Sequence, residues 1–261
     1  MFSVAVLGAC GVDPAPTELQ SLVPWFWENY AAGDDEQVAE AVRNLDVALK
    51  GVTADEPLEA SLNRLVKAQL AVVGLDGVND PAKAAGMVVA TEIGCTLAQV
   101  EKVVIALEQD SLYPDVYDTY ARKHTTDKVA YLARTAPTLA WDTAIKATIV
   151  TNTYTENLKG GARFVKDRGK VESPFGAILV SRTWLPKPAV FEDTDKKFPQ
   201  DYQIEVYYER SPGRVVHLFG VWREMVIGGL STEDDSFVGL MTGNFINWDA
   251  KTDALCKAAK P

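Results

Sequence analysis

Two neighbouring segments near the C terminus constrain the fold most. The first, residues 202–222, holds Tyr202-Gln-Ile-Glu-Val-Tyr-Tyr-Glu209 and Val215-Val-His-Leu-Phe-Gly-Val-Trp222 on either side of Ser211-Pro-Gly213. Two β-rich runs around a Pro-Gly turn predict an antiparallel hairpin. The second segment changes period. Ser231 to Asp235 supplies a cap and acidic residues for a helix start. Phe237, Leu240, Met241, Asn244, Phe245, Trp248, Thr252 and Leu255 then recur at helical spacing, with Lys257 and Lys260 at the negative end of the dipole. A sheet followed by one long amphipathic helix leaves that helix little to pack on except the sheet.

More strands precede the hairpin. Leu139, Trp141, Thr143, Ile145, Ala147 and Ile149 alternate with Asp142 and Lys146, and β-branched residues continue to Thr155. Lys159-Gly160-Gly161 reads as a turn into Ala162–Lys166, and 176–184 as a strand ended by Pro186 and Pro188. Met87–Ile93 is a further strand. Thr96-Leu-Ala-Gln99 is a capping box that opens a helix. Tyr113, Tyr117, Tyr120 and His124 recur every three or four residues, which predicts a second helix with His124 at its solvent-facing end. Residues 17–75 read as three helices. The stripes are Leu19, Leu22, Val23, Phe26 and Tyr30, then Val38, Val42, Leu45 and Leu49, then Leu58, Leu62, Leu65, Val66 and Leu70. Trp25 and Trp27 cannot both lie on the first stripe, so one must touch another layer. Residues 76–81 are turn chemistry and mark a boundary.

The net charge of −10 and the sequence pI of about 4.8 exclude a nucleic-acid phosphate partner and a polybasic grip on anionic lipid. No His-Glu-x-x-His, Gly-x-Ser-x-Gly or phosphate-cradling glycine loop is present, and with two histidines a His-rich metal site is not expected. No catalytic residue, cofactor or metal is assigned. His217, between Val215 and Phe219, reads as a core or cavity histidine rather than a general base. Arg182 and Arg223 lie on strands beside tryptophans. They could meet an anionic head group, though surface carboxylates are the commoner partners of such arginines.

From residue 84 the order is strand, two short helices, about six antiparallel strands and a long final helix. With Asp110 and Tyr113-Pro114 after the first helix, this order resembles the START-like, or helix-grip, superfamily. The resemblance implies an α+β fold, with a START-like domain at 84–258 whose antiparallel sheet wraps the C-terminal helix around a hydrophobic cavity. A helical appendage at 18–80 precedes it. The residues implied to line the cavity are Trp141, Trp184, His217, Phe219, Phe237, Met241, Phe245 and Trp248. The implied ligand is a lipid or other small hydrophobic molecule. A helical domain followed by a closed lipocalin-like barrel is the alternative architecture. The alternative functions are a structural or protein-interaction protein with a filled core, and an enzyme on the same scaffold.

The apolar start ending in Leu7-Gly8-Ala9-Cys10 resembles the lipobox of bacterial lipoproteins, in which the cysteine becomes the lipidated first residue. That implies a signal peptide at 1–9, either starting further upstream or damaged, because no Lys or Arg precedes the short run, and a Pro-rich tether at 10–17. The expected location is the cell envelope, on the periplasmic face of the outer membrane, with the membrane met through the lipid on Cys10. A buried N-terminal strand ending in Cys10 is the alternative. With Cys10 spent on the anchor, Cys95 and Cys256 remain. In an oxidising compartment they are expected to pair, otherwise to be two buried thiols.

Overall fold

A computed structural model describes residues 14–149, 151–166, 175–193, 196–227, 230–232 and 234–258. Helix α1 (Leu19–Asn29) buries Leu22, Val23 and Phe26 and both tryptophans, because it is covered on two sides. Helix α2 (Asp35–Ala48) opens with a capping box between Asp34 and Gln37 and lays Val38, Val42 and Leu45 against α1 and the sheet. Strand β1 (Leu58–Leu62) and the short helix α3 (Lys67–Leu70) follow. Next come β2 (Ala85–Ile93), α4 (Leu97–Val104), α5 (Gln109–Leu112), β3 (Thr119–His124) and α6 (Lys128–Leu132). The main run of strands is β4 (Thr138–Ile149), β5 (Asn152–Lys166), β6 (Ala177–Trp184), β7 (Val190–Phe191), β8 (Lys197–Ser211), β9 (Arg214–Ile227) and β10 (Leu230–Ser231). Helix α7 (Asp235–Ala258) ends the chain's described part.

Every described strand pairing is antiparallel, in the order β1-β2-β9-β8-β6-β5-β4-β3, with β10 on β9 and β7 on β5. Among the described residues β1 and β3 end the order and do not pair with each other, so the sheet is open rather than a lipocalin-like barrel. Strand periodicity gives the sheet two faces. On β9, Val216, Leu218 and Trp222 join the core under α1 and α2. Their neighbours His217, Phe219 and Arg223 face the other way, where strands from β3 to β9 and α7 line a cavity. The mixed α+β fold, with a curved antiparallel sheet gripping the last helix, is the architecture expected from the sequence.

The N-terminal segment differs from the expected helical appendage. Residues 58–62, read as part of a third helix, add strand β1 to the free edge of β2, pairing Leu58 with Ala90 and Leu62 with Gly86. Helices α1 and α2 share one core cluster with Val88, Ala90, Tyr202, Ile204 and Trp222 of the sheet. The ring of Trp27 packs edge-on against Tyr202 and Trp222, and its indole donates to the Gln69 carbonyl at 2.8 Å.

Buried arginines fix these helices by their carbonyl ends, where unpaired C=O groups and the helix dipole favour a cation. Arg182 donates to the Trp27 carbonyl at 2.9 Å and Arg163 to the Tyr30 carbonyl at 3.0 Å, both at the end of α1. Arg210 does the same for α2 through the Leu49 carbonyl at 3.1 Å, and holds Asp46 at 2.8 Å. Burial pulls the Arg182 guanidinium down to about 10, and the phenol of Tyr30 only partly offsets this.

Gly220 sets how closely α1 approaches. A Cβ there would lie 2.4 Å from Val23 Cγ1, a stiff side chain that is itself fully buried. Gly220→Val is therefore expected to destabilise the protein by about 1–3 kcal/mol through overpacking. Urea unfolding measures it, and a change near zero would mean that α1 does not dock on β9 in solution.

Candidate functional site

The cavity lies between the inner face of β3–β9, the α4–α5 region and α7, and holds about 330 Å³. Its walls are aromatic and aliphatic. Phe219 and Phe245 stack at 4.8 Å, Tyr113 stacks on Trp248 at 4.1 Å, and Val104, Ile145, Leu158 and Met241 fill between them. Met241 Sδ also accepts from Arg223 Nη1 at 3.3 Å. The Tyr113 hydroxyl and Thr252 Oγ1 lie 2.6 Å apart, so the Tyr-Pro signature of the sequence ties the α5 end to α7.

At one end of the cavity, charged groups gather around His217. Its Nδ1 lies 2.8 Å from Asp249 Oδ1, and Asp249 Oδ2 accepts from Thr91 Oγ1 at 2.8 Å. Its Nε2 lies 3.6 Å from Glu205 Oε2, an oxygen that also accepts from the Tyr207 hydroxyl. The Tyr207 ring stacks on the imidazole at 4.0 Å. Burial alone would pull the His217 pKa down, but Asp249 first and Glu205 second outweigh it and hold it at about 9. The ring is therefore an imidazolium at neutral pH, and both of its nitrogens are donors.

Glu156 lines the cavity from β5. Burial, with repulsion from Asp201, pushes its carboxyl up to about 8 against the pull of Arg223, so it is protonated at pH 7. Arg223 pairs with Asp201, a fully buried carboxylate and not the surface partner expected. Arg122 lies over the Trp141 ring, 4.4 Å from its centroid, and donates to the Val104 carbonyl at 2.6 Å, closing the end of α4. Three buried donors on the cavity's lining residues have no partner within hydrogen-bond reach, Tyr120 Oη, Trp141 Nε1 and His217 Nε2.

The disulfide between Cys95 and Cys256 joins the start of α4 to the end of α7, with Cα atoms 5.5 Å apart. Asp253 Oδ1 accepts from the Gly94 amide at 2.6 Å, and Gln99 Nε2 donates to the Cys256 carbonyl at 3.1 Å. These contacts hold the turn of α7 that carries Asp249 and Thr252 against the cavity.

Of the expected lining residues, Trp141, His217, Phe219, Met241, Phe245 and Trp248 line this cavity. Trp184 does not. On β6 Ser181 and Thr183 point inward, so Trp184 shares the opposite face with Arg182 and packs on the core of the N-terminal helices. Arg182 itself closes α1 rather than meeting a head group. Cys10 and the side chain of Phe237 lie outside the described residues. The Tyr113–His124 run is not a helix: Thr119–His124 is strand β3, and His124, half-buried at its end, contacts the Ile105 carbonyl through Nε2 at 3.1 Å.

Neither a family model nor a curated protein matches the chain. Among solved structures it is similar to a START superfamily protein from Mycobacterium smegmatis, at 8% identity and a TM-score of 0.44, covering 67% of this chain and 99% of that one. It is also similar to the lipid transfer and protein localization domain of human StarD13, at 10% identity and a TM-score of 0.44, over 82% of this chain and 95% of that one. A protein of Thermus thermophilus matches at 10% identity and a TM-score of 0.40, over 67% of this chain and 98% of that one.

Three acidic cavity residues escaped the sequence reading. Asp249 lies four residues after Phe245 and three before Thr252, on the buried side of α7, which is where a carboxylate is least expected without a partner. Glu205 alternates with the outward Ile204 and Val206 on β8, and Glu156 shares the inward face of β5 with Tyr154 and Leu158. An acidic residue on the inward face of a strand or helix was the available signal in each case. Among the described residues, no group of His, Cys, Asp or Glu is placed to hold a metal ion, and no helix is long and apolar enough to cross a membrane.

Proposed function

We propose that this chain is a binding protein for a small, largely apolar ligand held between the sheet and α7. It is anchored in a bacterial cell envelope through a lipid on Cys10. The observation that carries the binding reading is the aromatic-walled cavity of about 330 Å³, on whose lining residues three buried donors, Tyr120 Oη, Trp141 Nε1 and His217 Nε2, make no hydrogen bond. More than nine in ten buried polar groups in folded proteins are satisfied, and each orphan costs about 1–3 kcal/mol. A ligand that fills the space and accepts hydrogen bonds would remove that cost. The volume is at the lower end of the range of about 300–1,000 Å³ for small-molecule sites, which favours a compact or single-chain compound over a two-chain lipid.

Native mass spectrometry of the protein purified without detergent tests the binding reading. The expected result is an adduct of a few hundred daltons that organic extraction removes. An adduct-free protein that also fails to bind apolar fluorescent probes would instead favour a structural role with a filled core.

The envelope location is supported by Leu7-Gly8-Ala9-Cys10 and by a disulfide of the kind that persists in oxidising compartments. Expressed behind a complete signal peptide, the protein is expected to take up labelled palmitate, and Cys10→Ser to take up none. A wild type without label would overturn the anchor.

A further inference from the structure

The inner face of the sheet and α7 form more than the cavity. A second hollow, a groove of about 550 Å³, is lined by residues of β1, β2, β9 and the start of α7. Strand register puts groove and cavity on the same face. Val221 and Arg223 alternate with Trp222, so they point the way of His217 and Phe219, and their partners on β2 are Met87 and Ala85. Ser61 of β1 in turn pairs with Met87. By adding β1 to the edge of β2, the N-terminal segment therefore supplies one wall of the groove.

Among the described residues, two line both hollows, Arg223 and Met241. They touch, Met241 Sδ accepting from Arg223 Nη1 at 3.3 Å, so the wall between cavity and groove is one pair of side chains thick. Its two halves are held unequally. Arg223 is fixed by its ion pair with buried Asp201 and lies over the Phe198 ring, 4.9 Å from the centroid. Met241 is half-buried, and its thioether is a weak acceptor on an unbranched, flexible side chain. Behind it the groove carries Met87, Val221 and Val238, apolar surface that a hydrocarbon chain could follow. We propose that Met241 is the end wall of the binding site and sets the length of ligand it accepts, with the groove as a further subsite that this one side chain closes off. The proposal rests on the binding reading above and adds what limits the ligand.

A chain-length series tests it: the straight-chain alcohols from 1-octanol to 1-tetradecanol, each titrated against a bound apolar fluorescent probe. In the wild type, Kd should fall about fourfold for each added methylene while the chain is still being buried, then stop falling at the length that meets Met241. Met241→Ala should move that break to alcohols longer by about two carbons or more, since alanine vacates the length of about three chain atoms. Met241→Val, a smaller cut, gives the same reading with a shorter shift should the alanine protein not fold. Adding Ala85→Phe, beside Arg223 in the groove, to Met241→Ala should bring the break back towards the wild-type length. Ser61→Trp, on the β1 wall, serves in its place should that protein not fold. If the wild type shows no break, or the break stays where it is in a folded Met241 variant, the wall lies elsewhere and the binding reading stands. If the break moves but neither groove substitution brings it back, the chain does not enter the groove and the subsite is wrong. If no alcohol displaces the probe and the probe itself does not bind, the binding reading falls as well.

Discussion

Replacing Asp249 with asparagine is expected to cost about 3 kcal/mol of stability at pH 7 and very little at pH 10. Asp249 is the larger of the two attractions that keep buried His217 charged. The imidazole titrates near 6.5 in an unfolded chain and at about 9 in the fold. A raised folded value contributes stability that is fully present below the unfolded pKa and is lost as pH rises through the folded one. The difference, about two and a half pKa units at about 1.4 kcal/mol each, is about 3.5 kcal/mol below the unfolded pKa and falls to about 3 kcal/mol at pH 7. Asparagine keeps the shape and a hydrogen bond to Nδ1 but removes the charge. The variant should therefore start lower at neutral pH and lack the wild type's decline between pH 7 and pH 10. Urea unfolding of both proteins at the two pH values measures this, and NMR titration of His217 reads the pKa directly. A penalty that is the same at both pH values would show that Asp249 acts by packing and that His217 is neutral in the fold.

The parts of the molecule legible in its sequence are those whose signals are local. The capping box of α4, the β8–β9 hairpin and the long α7 are fixed by residues within a few positions of each other. The misread parts depend on partners far away in the chain. Leu58 to Leu62 has the composition of a helix turn, and only the open edge of β2 makes it a strand. Tyr117 and Tyr120 have helical spacing because they pack on each other, at 4.9 Å, across the entry to β3. Gly160-Gly161 reads as a turn, yet both lie inside β5, and each leaves room on a different face. A Cβ on Gly160 would lie 2.6 Å from Trp141 Nε1 in the cavity. One on Gly161 would lie 2.8 Å from the Tyr30 hydroxyl, below α1. The cavity's aromatic wall was legible from alternation along β4 and β9. Its charged end was not, because Asp249, His217 and Glu205 come from α7, β9 and β8, and no spacing rule joins them.

Removing the disulfide is expected to be the most damaging change of all. The bridge between Cys95 and Cys256 spans 161 residues, and closing a loop of that length is worth about 5 kcal/mol in the chain-entropy model. The two sulfurs are also buried, in a cluster with Ile93, Leu97, Val100, Tyr131 and Tyr207. The double substitution Cys95→Ala and Cys256→Ala would lose the loop constraint together with some of that packing. Reduction of the wild type would lose the constraint alone. Urea unfolding of the oxidised, reduced and doubly substituted proteins separates the two contributions. Oxidised protein should be the most stable by several kcal/mol, with the reduced form between it and the double alanine. The consequence for binding follows from position. Thr252 and Asp249 precede Cys256 by one and two turns of α7, and Tyr113 and His217 reach the helix through them. Loosening the end of α7 should therefore weaken the cavity wall as well as the fold, and ligand affinity should fall in the reduced protein even where it remains folded. If reduction leaves both stability and affinity unchanged, the Gly94–Asp253 and Gln99–Cys256 hydrogen bonds hold α7 without the bridge. The disulfide would then give no support to an oxidising compartment.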